Sequence, residues 1–196
     1  DSDANLSGYG GAIYLSNSSL QLDQTYLHHN SAARGGALYA INAGSVVVAN
    51  NSLFHHNTST SFYGSAIRVE DNANVTLWHA TLADNTGGPA FSQTANPSIA
   101  SIYNSIIYRN DQGFSIEPDN AVCNIDQDGL AGLNVAPLFV APGSSNYRLS
   151  SDSPALDACA TGLDVDLDGY ARPAWDDYDM GAYELPIMQL YLPFAR

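Results

Sequence analysis

The chain has 196 residues, and its 20 acidic and 6 basic residues give a net charge of -14 at pH 7. This balance excludes a nucleic-acid partner, because phosphate binding needs clustered cations, and the absence of lysine excludes P-loop and Schiff-base chemistry. No apolar run approaches the roughly 20 residues that span a bilayer, so we expect no transmembrane segment.

The first part of the sequence repeats a short motif. GGAIY at residues 10–14 returns as GGALY at 35–39, and more loosely as GSAI at 64–67 and GPAF at 88–91. A unit of about 25 residues is too short for a domain but fits one turn of a β-coil. A second marker, an asparagine, follows each copy at a spacing of about 25 to 28 residues, at Asn30, Asn57, Asn85 and Asn110.

Alignment on that asparagine places like residues in the same columns. Leu20, Val47 and Val75 share one column, and polar residues such as Gln21 and Thr76 follow in the next. This alternation is typical of half-buried strands. The aligned asparagines can bond one another's amides at a bend of the stacked coils. We therefore predict an all-β fold, a parallel β-helix.

The repeat pattern resembles that of right-handed parallel β-helix proteins of bacterial cell surfaces, such as the polymorphic outer membrane proteins. The resemblance rests on the Gly-Gly-Ala-Ile copies and the asparagine positions, and it implies a single-stranded, right-handed solenoid. We expect about six to seven coils, with four aligned coils in residues 1–118. Residues 119–196 are predicted to hold the final coils and a C-terminal cap, because a bare end exposes apolar columns and unpaired strand groups.

Two histidine pairs occupy the same place in successive repeats, namely His28–His29 and His55–His56. Because stacked coils lie about 4.8 Å apart, the two pairs are within reach of one transition-metal ion. Neighbouring strand residues face opposite ways, so we expect one histidine of each pair to point outward. The alternative is a ladder of like residues without a metal, which repeat proteins of this kind often contain.

One column of the repeat offers acid–base chemistry, and it contains His29, His56, Asp84 and Arg109. β-Helices include enzymes that degrade uronate polymers, but a net charge of -14 repels an anionic polysaccharide. The sequence therefore leans away from an enzyme. A polysaccharide-active lyase or hydrolase remains the alternative.

Tyr14 and Tyr39 occupy aligned positions after the glycine pairs. Tyrosine rings on an open sheet face can stack on sugars, so a surface glycan is a candidate partner. The same alignment fits a packing ladder equally well.

Cys123 and Cys159 are the two cysteines of the chain. They would form one disulfide in an exported protein, or remain two buried thiols in a cytosolic one. We predict the disulfide.

Asp164, Asp166 and Asp168 alternate in a way that resembles the first half of a calcium-binding loop. Trp175 stands where such a loop has its bidentate glutamate. Calcium is therefore the one candidate cofactor. The alternative is an acidic turn whose carboxylates accept backbone amides and pair with Arg172.

Three motifs of the last third are SPALD at 153–157, DGYARP at 168–173 and DMGAYE at 179–184. Together they resemble the C-terminal region of the choice-of-anchor Q group of secreted bacterial β-helix proteins. This resemblance implies an exported or cell-surface protein and no particular chemistry.

These observations predict a secreted or cell-surface module with a structural or adhesive role and no catalytic activity. Surface glycans or further copies of the chain are the expected partners. A second alternative, besides the enzyme, is a self-assembling subunit that stacks through its open N-terminal coil.

Overall fold

The computed structural model describes residues 5–94 and 98–186, in which strands follow one another in the same order in each coil. The first coil contains β1 (Asn5–Tyr9), β2 (Ile13–Ser16), β3 (Ser19–Asp23) and β4 (Tyr26–His28). The second contains β5 (Ser31–Arg34), β6 (Leu38–Ile41), β7 (Val46–Asn50) and β8 (Leu53–His55). The third contains β9 (Thr58–Tyr63), β10 (Ile67–Glu70), β11 (Asn74–Trp78) and β12 (Thr81–Ala83).

Two shorter coils complete the helix. The fourth contains β13 (Pro89–Gln93), β14 (Ile99–Tyr103) and β15 (Ile106–Tyr108). The fifth contains β16 (Gln112–Phe114), β17 (Asn120–Val122) and β18 (Ile125–Asp126). After these come β19 (Phe139–Ala141), a 3-10 turn (Pro142–Ser144) and β20 (Asn146–Leu149).

Corresponding strands of successive coils pair in parallel and almost without register shifts. Within the described ranges, the first sheet joins β2, β6, β10, β13 and β16, the second sheet joins β3, β7, β11, β14 and β17, and the third sheet joins β4, β8, β12, β15 and β18. A three-stranded side sheet is formed by β1, β5 and β9, each of which directly precedes a strand of the first sheet in the chain. The predicted all-β, parallel β-helix is thereby confirmed.

The interior is a set of aliphatic columns. Inward residues of the first and second sheets stack on their counterparts in the next coil, as the aligned sequence predicts. The column of Val47, Val75 and Ala100 is at most 1% exposed. Such columns supply most of the apolar burial that stabilises a fold built from short strands.

Each bend places left-handed residues at equivalent positions in successive coils. His29, His56, Asp84 and Arg109 have φ values of 56°, 53°, 51° and 68°, which non-glycine residues rarely adopt. At the glycine corner, successive coils lie very close to each other, since a Cβ on Gly36 would lie 2.1 Å from a backbone oxygen of the next coil. Gly11 and Gly36 therefore stand where no side chain fits, whereas Ser65 and Pro89 occupy this position in the third and fourth coils.

The helix has fewer coils than the six to seven predicted. Five strands per main sheet correspond to five coils, and the last of them crosses the predicted boundary at residue 118 and ends at Asp126. The Asp126 carboxylate accepts backbone amides of Leu130 and Ala131 at 2.7 and 3.1 Å, which turns the chain over the end. Ala131 packs into the interior there. The residues predicted to form further coils pack on the side of the helix instead.

Residues 137–186 form what we call the C-terminal cover, which lies on the outer face of the third sheet. Tyr147 and Leu167 belong to one apolar cluster with Leu53, and Met180 belongs to another with Ile106. The cover therefore protects the side of the helix, a position that the prediction of a terminal cap did not include. Third-sheet strands such as β8 and β12 are buried at every position because both of their faces are covered.

The predicted disulfide is present and joins Cys123 of the fifth coil to Cys159 of the cover. The 3-10 turn is the one helical element that the described ranges contain, and no helix there is long and apolar enough to cross a membrane.

Candidate functional site

Aromatic and arginine side chains line a shallow surface beside the glycine corner, which we call the tyrosine–arginine trough. Its members lie on the outer face of the first sheet and on or beside the side sheet, in coils one to three. The trough contains Tyr9, Tyr14, Arg34, Tyr39, Tyr63, Arg68 and Glu70.

The repeat itself builds this trough. The residue before each glycine corner lies in the side sheet, where Arg34 pairs with Tyr9 on one side and with Tyr63 on the other. Four residues after the corner glycine, Tyr14 pairs with Tyr39 in the first sheet. The glycine corner between these strands brings the two ladders together, and the Tyr9 and Tyr14 ring centroids are 6.4 Å apart across it.

Cations and rings alternate within the trough. The Arg34 guanidinium lies 4.8 Å from the centre of the Tyr63 ring and 5.8 Å from that of Tyr9. Arg68 lies 5.1 Å from the Tyr63 ring. Tyr14 and Tyr39 stack almost in parallel, with their centroids 5.7 Å apart. These cation–π and stacking contacts hold the rings in fixed positions.

Glu70 holds the polar side of the trough together. Its carboxylate accepts hydrogen bonds from Arg68 Nε at 2.7 Å, from Arg34 at 3.3 Å and from the Tyr39 hydroxyl. Burial alone would raise the pKa of Glu70, but the bonds from Tyr39 and Arg68 lower it on balance, so the carboxylate stays ionised. Burial, and then the bond to Glu70, raise the pKa of Tyr39 and keep its hydroxyl protonated.

Exposure decides which rings can meet a ligand. Tyr14 is 54% exposed, Tyr9 46% and Tyr63 44%, whereas Tyr39 is 2% exposed. Tyr39 is therefore closed to a ligand, and its stack with Tyr14 is the packing ladder that the sequence offered as the alternative. Tyr9 packs against the Tyr39 ring, with a centroid distance of 4.9 Å, and the Tyr39 hydroxyl donates to Glu70.

The two histidine pairs form a ladder on another bend of the helix, beside the asparagines. His28 stacks on His55 with centroids 4.9 Å apart, and His29 stacks on His56 at 5.1 Å. Within each pair the Nδ1 atoms are 2.9 and 2.8 Å apart, so one ring donates a hydrogen bond to the other. The expectation that one histidine of each pair points outward is wrong, because the left-handed backbone at His29 and His56 turns both rings to the same side.

The predicted row of His29, His56, Asp84 and Arg109 continues along this bend. Arg109 Nε donates to Asp84 at 2.9 Å, and the Tyr147 hydroxyl of the cover donates to the other Asp84 oxygen at 2.8 Å. Tyr147 also lies 3.5 Å from the Nδ1 atom of His56. The structure thus brings the row together and adds Tyr147 to it.

The charge states along the ladder follow from burial. Burial, and then the neighbouring rings, lower the pKa of His55 to about 4, and the same causes lower the pKa of His28. Both rings are therefore neutral at pH 7. Burial and the bond to Asp84 raise the pKa of Tyr147, so its hydroxyl acts as a donor.

Asn30, Asn57, Asn85 and Asn110 lie in one continuous ladder behind the histidines. Each side-chain amide donates to the carbonyl of the next at 2.9 to 3.0 Å. Gln127 extends the ladder by accepting the Asn110 backbone amide at 2.8 Å.

The aspartates of the suggested calcium loop are engaged in separate contacts. Asp166 is buried and accepts the backbone amides of Tyr170 and Glu184 at 2.8 and 3.0 Å. Asp168 pairs with Arg148 at 2.5 Å. In the described ranges no group of three or more histidine, cysteine or acidic side chains surrounds one point. These contacts are those of an acidic turn, and calcium binding stays an untested prediction.

The three C-terminal motifs meet within the cover, around a buried ion pair. Arg172 pairs with Glu184 at 2.7 Å, and the two side chains are at most 1% exposed. Arg172 also donates to the Gly181 carbonyl at 2.8 Å. The Asp157 backbone amide donates to Asp179 at 2.8 Å, which adds the first motif. The motifs therefore hold the cover together.

Sequence reasoning missed Tyr9, Arg34, Tyr63, Arg68 and Glu70. A signal for four of them was present, because the first three directly precede a glycine corner and Arg68 aligns with Tyr39. Glu70 carried no such signal, since Ile41 pairs with it in the neighbouring coil.

Comparisons with known proteins agree with this architecture. Residues 2–147 match the family model described as a right-handed beta helix region. Curated proteins and solved structures gave no match. The matched range covers the five coils and the start of the cover, so the chain belongs to the right-handed β-helix family.

Proposed function

We propose that this protein is an extracellular, cell-surface adhesive module that binds glycans in the tyrosine–arginine trough. The observation that carries the proposal is the set of exposed rings held by stacking and by arginine over three successive coils. Sugar rings have apolar C–H faces that pack on tyrosine, and hydroxyl groups that pair with arginine and carboxylate. The C-terminal motifs that resemble those of secreted bacterial proteins support the location.

The charge of the molecule favours an uncharged glycan. Arg34 and Arg68 are balanced in part by Glu70, and the whole chain carries a net charge of -14. A long anionic polymer would be repelled by this field. A neutral oligosaccharide lying along the coils would meet Tyr9, Tyr14 and the half-exposed Arg34.

A binding assay with two tyrosine variants tests the proposal. A glycan array identifies a neutral ligand, and titration then compares the wild type with Tyr14→Ala and Tyr170→Ala. Tyr170 is the matched control, because it is 53% exposed but belongs to the cover. We expect Tyr14→Ala to weaken binding roughly two- to tenfold, as a lost aromatic stack does, and Tyr170→Ala to leave it unchanged. Equal affinities for all three proteins, or no glycan bound, would overturn the proposal.

The row along the histidine bend supports a second candidate, a polysaccharide-active enzyme. Arg109, Asp84 and Tyr147 form a hydrogen-bonded chain that reaches His56. Both Asp84 oxygens are already bonded, so the trough is the stronger candidate for the protein's role. The measurement is the release of sugar ends from neutral and anionic polysaccharides. Release that disappears in Asp84→Asn would establish the enzyme.

A further inference from the structure

The histidine ladder has a geometry that the proposed glycan site does not use. His28 and His29 are solvent-exposed, whereas His55 is 6% exposed beneath them and packs against Tyr147. The outer pair therefore lies at the surface, and the rings of the second pair stack against it.

The spacing of the outer nitrogens selects a class of ligand. The Nδ1 atoms of His28 and His29 are 2.9 Å apart. Two nitrogens at about 2.0–2.1 Å from a metal and 2.9 Å from each other subtend an angle of about 90°, which suits neighbouring positions of a square or tetragonal site. A tetrahedral ion needs a wider angle.

A shared proton occupies the space between these nitrogens in the free protein, because one imidazole donates to the other. A divalent cation can bind to one side of the line between the two nitrogens once the donor ring changes to its other neutral tautomer, in which its proton moves from Nδ1 to Nε2 by exchange with solvent. Both Nδ1 atoms are then free neutral imidazole nitrogens, which are common metal ligands, and no net proton is released. Among divalent first-row ions, copper both prefers tetragonal nitrogen sites and binds most tightly.

We propose that His28 and His29 form a two-nitrogen Cu(II) site, with solvent completing the coordination. One ion binds per chain. His55 and His56 repeat the same donors about 5 Å below, but the pair is partly buried, and a second dication so close would be repelled. No third histidine, cysteine or acidic side chain converges on the same point within the described ranges, which fits a site of two protein donors.

The fold itself provides a matched variant for the test. The residues of the fourth coil that align with His28 and His29 are Tyr108 and Arg109, and Arg109 has the same left-handed backbone as His29. The double variant H28Y/H29R therefore places a pair that this bend already accepts on the outer coil. H55A/H56N removes the inner pair and is the control.

The experiment is a titration of the full chain with cupric chloride at pH 7.5. Calorimetry measures the affinity and stoichiometry, and electron paramagnetic resonance identifies the nitrogen ligands. We expect one ion bound with imidazole nitrogen couplings, at least about tenfold weaker binding in H28Y/H29R, and retained nitrogen coupling in H55A/H56N. Far-ultraviolet circular dichroism verifies that each variant keeps its strands. Equal copper binding by H28Y/H29R and wild type, zinc bound more tightly than copper, or no imidazole coupling would each overturn the proposal.

Discussion

His79 is a buried residue that joins the helix to the cover. It is 0% exposed, its Nδ1 donates to the Asp179 carbonyl at 3.0 Å, and its Nε2 accepts from Asn104 at 3.0 Å. Both nitrogens are used in the neutral form. Burial, and then the charge of Arg172, lower the pKa of His79 to about 3.

This shift predicts a loss of stability in mild acid. The unfolded chain takes up a proton on His79 below a pKa of about 6.5, whereas the folded chain takes it up only near pH 3. Stability from this residue is therefore complete above pH 6.5 and decreases as the pH falls towards 3. Between pH 7 and pH 5 the expected loss is about 2 kcal/mol.

Urea unfolding of the wild type and of His79→Gln at both pH values measures this loss. Glutamine keeps a donor and an acceptor but does not titrate, so its loss on acidification should be smaller by about 2 kcal/mol. The other titrating groups act in both proteins and cancel in the comparison. The same pH dependence in the two proteins would show that His79 does not contribute it.

At the residue scale, strand alternation was the wrong guide to the histidines. The sequence predicted that the two pairs stack, because the repeat aligns them. It did not predict that His28 and His29 share one side, because that depends on a left-handed backbone at His29. Asp84 and Arg109 have the same conformation, so the whole row consists of bend residues and not of strand residues.

At the scale of the element, the asparagine ladder links each bend to the next. Asn85 Nδ2 donates to Asn110 at 2.9 Å and to the Phe54 carbonyl at 3.0 Å, and its Oδ1 accepts two hydrogen bonds from Asn57 at 2.9 Å. All of these groups are shielded from water. Each side chain therefore satisfies backbone groups that a bend would otherwise leave unpaired.

We expect Asn85→Ala to lower the free energy of unfolding by about 3 kcal/mol or more. The variant removes several hydrogen bonds of about 1 kcal/mol each and leaves the buried Asn57 amide without its acceptor. Chemical denaturation gives the value. Asn134→Ala, at an exposed asparagine, is the control and should change stability by less than about 0.5 kcal/mol. A similar small effect of Asn85→Ala would contradict a stabilising ladder.

The sequence predicts the coils well and the cover poorly, for a physical reason. A repeated coil leaves a period in its inward residues, so the parallel strands were predictable from columns such as Val47 and Val75. The cover contacts an existing surface by irregular turns, which leave no period. One trace of it was available, because Ile106 and Ile107 are adjacent apolar residues in a short strand, a pattern typical of a sheet buried on both faces.

At the scale of the whole molecule, the cover is attached along the length of the helix. Near the first coil, Gln24 donates to the Asp166 carbonyl at 2.8 Å. In the middle, Thr81 accepts the Ala182 backbone amide at 3.0 Å. At the fifth coil, the disulfide joins Cys123 to Cys159. The cover therefore couples coils that otherwise contact only their neighbours.

Opening the disulfide tests this coupling. The bridge closes a segment with a sequence separation of 36 residues, and a loop of that size restricts the unfolded chain by about 4 kcal/mol. We expect the reduced wild type, and the variant Cys123→Ala/Cys159→Ala, to lose roughly that stability in guanidinium denaturation. The variant should not respond to reductant, which separates the bridge from other effects of the reagent. Hydrogen exchange should then increase first in the cover near Met180, whose cluster contains Cys159, and only later in the aliphatic columns. Simultaneous exchange in the cover and the columns would mean that the other contacts hold the cover without the bridge.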